Sequence, residues 1–146
     1  MRMLTPQILA DLWKAHRAQQ APTDPDLAAM QKFMILHSDM HEYWERLLTD
    51  PDTPLEVDGD NLMLHIAIDA AVERALGENQ PPGLQDLFST LIQNGFEEGD
   101  AFHVIAQAMQ HEFLISAEAG KEMDLSGFFR RATDYCRQAM ERRGQP

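Results

Sequence analysis

The sequence predicts an all-α fold, a single-domain antiparallel helical bundle over residues 1–146 with about six helices, four long and two accessory. Three observations predict it. Apolar residues recur at alternating three- and four-residue spacing in one segment after another, the period of a helix with one buried face. Those segments open on Thr or Asp caps and close on Gly, Asn or Pro. The alternating apolar and polar pattern of strands hardly appears. With 146 residues and 44% hydrophobic side chains, the chain has the size and apolar content of one packed core.

In chain order, Thr5 caps and Pro6 opens a first helix, which carries Ile8, Leu9, Leu12 and Trp13 on one face and fades near Gln19 and Gln20. Asp24 caps and Pro25 begins the longest helix, which runs to about Leu48 until the Thr49 to Pro54 segment stops it. Unbroken, it would span about 36 Å. Asp58, Gly59 and Asp60 close a loop and cap a third helix from about Asn61 to Leu76, with Gly77 placed to end it in the left-handed conformation. Pro81, Pro82 and Gly83 form the next break. Leu84, Leu87, Phe88, Leu91 and Ile92 mark a short fourth helix closed by Asn94 and Gly95. Gly99 and Asp100 cap a fifth that reaches Ala119 and Gly120. A sixth, starting at Asp124 or Ser126, turns Leu125, Phe128, Phe129, Ala132, Cys136, Ala139 and Met140 inward.

A net charge of −12 and a pI near 4.7 repel phosphate backbones and anionic leaflets, so neither nucleic acid nor a membrane is an expected partner. Five of the 12 basic residues, Arg130, Arg131, Arg137, Arg142 and Arg143, fall on the last helix. There they suit its C-terminal dipole or form a patch for an anion or acidic partner. The single cysteine, Cys136, has no internal partner, and no stretch approaches the ~20 apolar residues of a membrane span. The expected location is the cytoplasm. No glycine-rich phosphate loop implies a nucleotide cofactor. His41-Glu42 and His111-Glu112 lack the second histidine of a zinc protease, and the aspartate-rich loops lack the ligand spacing of an EF-hand.

The six histidines all fall within predicted helices. Along the second helix, Leu27, Met30 and Met34 are followed at the same spacing by His37 and His41, then Trp44 and Leu48. Lys32, Asp39, Glu42 and Arg46 gather on the opposite side, which puts both imidazoles on the buried face. The third helix repeats the pattern with Leu62, His65, Asp69, Val72 and Leu76, and His16 stands one turn beyond Leu12 and Trp13. On the fifth, His103, Gln107, Gln110, His111 and Glu118 make a polar strip that faces either a site or water. A buried polar group without a partner costs ~1–3 kcal/mol, against a net stability of ~5–15 kcal/mol, so buried imidazoles require partners.

Two readings meet that requirement. In the first, the protein is a metal-binding bundle. Side chains at i and i+4 lie ~5–6 Å apart and can converge on one ion, with further ligands from facing helices. The primary ligands are then His37, His41, His65 and Asp69, with His16, His103 and His111 as completions, and iron, zinc or manganese as the transition metal. In the second, the histidines are a hydrogen-bonded core, and the chain is a metal-free interaction or regulatory module whose acidic surface meets a protein partner or another copy in a homo-oligomer.

The segments Leu36-His37-Ser38-Asp39-Met40-His41 and Asn61-Leu62-Met63-Leu64-His65, with Pro82-Gly83 and the histidine helix starting near Asp100, resemble an uncharacterised family of short proteobacterial proteins known only as a domain of unknown function. The resemblance covers roughly residues 30 to 130. That family places a second histidine at the position of Asp69 and carboxylates at those of Gln107 and His111. The chain departs from it there, changing the type of polar ligand, and the resemblance implies no activity. The inventory is also similar to that of hemerythrin-like bundles, which gather histidines and two carboxylates around two irons. The order differs, and no bridging carboxylate stands out among Glu45, Asp69, Glu73 and Glu112.

Overall fold

The computed structural model describes residues 4–144. These are mostly helical, with seven α-helices: α1 (Pro6–Arg17), α2 (Pro25–Leu36), α3 (His41–Leu47), α4 (Leu62–Glu78), α5 (Leu84–Gln93), α6 (Glu98–Glu118) and α7 (Leu125–Arg143). A 3-10 turn, Ser38–Met40, stands between α2 and α3. A small antiparallel hairpin, β1 (Glu56–Val57) and β2 (Asp60–Asn61), precedes α4. The chain falls into two compact units, Met1–Glu73 and Arg74–Pro146, with the boundary inside α4.

In the first unit α1 starts as its sequence dictates. Thr5 accepts a hydrogen bond from the Ile8 amide at 3.2 Å, Pro6 occupies the first turn, and Leu9, Leu12 and Trp13 are buried. Gln19 takes the left-handed conformation at φ 59° and lets the Gln20 amide reach back to the Ala15 carbonyl. The Asp24 carboxylate caps α2 through the amides of Asp26 and Leu27. The helix expected to run from Pro25 to Leu48 is broken at His37, whose backbone lies at φ −88°, ψ 78°. Ser38 and Asp39 are weak helix formers whose side chains compete with the backbone for hydrogen bonds. The break falls just before them.

Asp58 and Gly59 both have positive φ, 52° and 85°, the geometry of a type I′ turn, which pairs Val57 with Asp60 and Glu56 with Asn61. Asn61 then caps α4 by accepting from the Leu64 amide. Leu62, Ile66, Ala67, Ile68, Ala70 and Val72 are buried. The helix passes through Gly77 rather than ending there. Asn79, at φ 51°, provides the left-handed residue, with the Gln80 amide bonded to the Ala75 carbonyl. Pro81 disfavours helix at the preceding residue, so the stop lies two residues later than the glycine suggested.

In the second unit α6 and α7 pack antiparallel. The former begins at Glu98, slightly before the expected Gly99-Asp100 cap, and buries Ala101, Ile105, Ala108 and Met109. Asp124 caps α7, which buries Phe128, Ala132, Cys136 and Ala139, whereas Leu125 is half exposed rather than inward-facing. Burial pushes the Cys136 thiol up to about 11. Three of the five arginines of α7 find partners within the chain. Arg131 bonds Glu112 at 2.9 Å, Arg137 pairs with Glu141 at 3.1 Å, and Arg143 donates to the Gly95 carbonyl while covering the Phe96 ring. Among the described residues no helix is long and apolar enough to cross a membrane.

Candidate metal centre

One turn of α4 separates His65 from Asp69, so the two side chains share a face of that helix. The break after α2 brings a third group to them. His37 Nε2 lies 2.8 Å from Asp69 Oδ2, and His65 Nε2 lies 3.2 Å from the same oxygen. The two imidazoles meet edge to face with centroids 4.8 Å apart. One nitrogen from each ring and one carboxylate oxygen all fall within 4.8 Å of one another, an arrangement that can hold a metal ion. Asp69 is 6% exposed, while the rings of His37 and His65 are about one-third exposed, at 31% and 35%.

The electrostatics of the group are dominated by its internal bonds. The hydrogen bond to Asp69 raises the pKa of His65. Burial opposes that rise, and the nearby charges of Asp69, Asp60 and Asp39 reinforce it. Burial alone would push Asp69 up, but hydrogen bonds from His37 and His65 outweigh it and hold the carboxyl below its ordinary value. Asp69 is therefore an anion near neutral pH. Both imidazoles form part of the wall of a cleft of about 340 Å³, together with Met40, Tyr43, Val57 and Leu62 and the aspartates at 39, 58 and 60.

The other histidines stand elsewhere. The Nε2 of His41 lies 2.8 Å from the Ile35 carbonyl oxygen, capping backbone at the helix break, and its ring packs 4.8 Å from Trp13. His16 packs against the same indole at 4.9 Å, and the indole N–H is taken by Glu45, which also pairs with Arg17. His103 and His111 belong to the second unit and are exposed. His111 Nδ1 lies 2.6 Å from the Tyr135 hydroxyl. Helical periodicity put His37 and His41 on one stripe. The break separates them, sending one ring to Asp69 and the other to the main chain. The cleft residues on the hairpin were missed, although Asp58-Gly59 carries the sequence signal of a two-residue turn.

No curated protein and no solved structure matches the chain. A family model does, over a stretch that takes in all three residues of the triad. Since residues 2–133 match the domain of unknown function DUF1841, the chain belongs to that family.

Proposed function

We propose that the protein binds one transition-metal ion through His37 Nε2, His65 Nε2 and Asp69 Oδ2. One observation carries this reading: both imidazole nitrogens converge on a single oxygen of one carboxylate. Ligands ~2.0–2.1 Å from a common ion, at angles between octahedral and tetrahedral, are separated by about 2.8–3.4 Å. The two histidine–carboxylate separations, 2.8 and 3.2 Å, match that range, and the two imidazole nitrogens, which lie within 4.8 Å of each other, would close on the ion as it binds. Two histidines and one carboxylate suit iron, manganese or zinc, and three protein ligands leave positions open for an exogenous ligand. The centre is accordingly of the reactive rather than the closed structural kind.

A second reading has its own support. Asp69, accepting from both imidazoles, satisfies the triad without an ion and ties α4 to the junction of α2 and α3. Metal analysis of the untagged protein, purified and reloaded without oxygen with iron, manganese or zinc, decides between the two. Stoichiometric metal that disappears in His37→Ala and His65→Ala but persists in His41→Ala supports the centre. Metal-free protein under all three loadings overturns it and leaves the hydrogen-bonded triad.

A further inference from the structure

We infer that the second unit carries a site of its own in the seam between α6 and α7, where Tyr135 is a nucleophile toward small uncharged acyl donors and His111 takes its proton. Four side chains form a line there. Glu112 and His111 come from α6, Arg131 and Tyr135 from α7. Glu112 accepts from Arg131 at 2.9 Å, and His111 Nδ1 lies 2.6 Å from the Tyr135 hydroxyl. Arg131 joins the two pairs, since its hydrogen bonds to Tyr135 and to Glu112 raise its pKa and keep it a cation. Gly127 leaves room for the Glu112 carboxylate against α7.

The order of the line fixes the direction of its protons. A guanidinium only donates and a carboxylate only accepts, so Arg131 offers its hydrogens to Glu112 and to the phenol oxygen. Among the described residues the phenol proton has no acceptor other than His111 Nδ1. The hydroxyl is held through its hydrogen by the imidazole and through its oxygen by a cation, the arrangement of a nucleophile activated by an adjacent base.

Tyr135 and Arg131 line a cleft of about 400 Å³, within the range of small-molecule sites. Arg130 lines it too and enters no ion pair among the described residues, which leaves a cation free for the oxygen of a carbonyl under attack. The other charges offset one another. Glu112 faces Arg131 and Asp134 lies 3.7 Å from Arg137, so Asp124 remains to balance Arg130. A cleft with little net charge suits a neutral donor.

The probe is p-nitrophenyl acetate, added to the full chain with metal chelated, so that the outcome is independent of the metal centre. The phenol oxygen bonds to the acetyl carbon, the bond from that carbon to the nitrophenyl oxygen breaks, and the phenol proton passes through His111 to water. The products are O-acetylated Tyr135 and p-nitrophenolate. Peptide mass mapping over time gives the rate at each of the two tyrosines, and Tyr43, likewise half-buried, is the reference. We expect Tyr135 to be acetylated about tenfold faster than Tyr43, and His111→Asn to bring the ratio close to one. Asparagine can place an oxygen where Nδ1 stood but cannot take a proton, so a merely structural bond would leave the ratio as it was. Arg130→Gln should slow Tyr135 about threefold without changing Tyr43. Equal rates at the two tyrosines, or a ratio that either substitution leaves unchanged, overturns the inference.

Discussion

Replacing Asp69 with asparagine removes the charge that joins the triad while keeping its size and one acceptor. A hydrogen bond to a charged group contributes ~1.5–3 kcal/mol. Here two such bonds end on one oxygen, so they are not additive, and both imidazoles are about one-third exposed, which screens them. We therefore expect Asp69→Asn to destabilise the chelated protein by about 2 kcal/mol near pH 5.5. The pH dependence carries the sign. Asp69 lies below its ordinary 3.8 when folded, so its contribution is present above that value and lost as pH falls through the folded pKa. His65 lies above its ordinary 6.5, so its contribution is complete below 6.5 and lost as pH rises through the folded pKa. The gap between parent and variant should be widest between these limits and narrow on both sides. Urea unfolding with chelator from pH 3 to 9 measures it. A gap that is constant, or larger at pH 8 than at pH 5.5, refutes the reasoning. With metal loaded the trend should reverse above pH 6, because coordination needs deprotonated imidazole.

Other outcomes follow from the packing. His41→Leu removes the cap on the Ile35 carbonyl and should lower stability by about 1 kcal/mol, read as a lower Tm with metal content unchanged. Gly127→Ala drives a Cβ into the Glu112 carboxylate beside Arg131. Displacing the ion pair costs about 1–2 kcal/mol and a helical alanine returns about 0.5–1 kcal/mol, so we expect a net loss of about 1 kcal/mol or less in urea unfolding, partly relieved by combining it with Glu112→Ala. Cys136 is buried with its thiol pushed up to about 11; a disulfide reagent at pH 8 should leave it untouched in native protein and modify it fully in urea.

Three helix starts were legible because they rest on a local hydrogen bond: Thr5, Asp24 and Asp124 cap where the sequence places them, whereas α6, without a side-chain cap, begins before the expected Gly99-Asp100. Helix ends were less so. Gly77 looked like a stop, but the left-handed residue is Asn79, and the position of Pro81 matters as much as residue type. The pairing of His65 with Asp69 could be read from i,i+4 spacing alone. That His37 rather than His41 joins them could not, because the 3,4 periodicity that placed both histidines on one face assumes a continuous helix, and the chain turns at His37. Long-range pairing such as His37 with Asp69, 32 residues apart, leaves no local signature.

The triad and the rim of the cleft are carried by different kinds of backbone. His65 and Asp69 ride on a packed helix, where a changed residue disturbs many neighbours. Asp58 and Asp60 flank the glycine of a two-residue turn, where exchange and even small insertions are tolerated. Mutation can thus reshape the mouth of the cleft without disturbing the triad beneath it, and descendants of one ancestor can diverge at the rim while keeping the two imidazoles and the carboxylate.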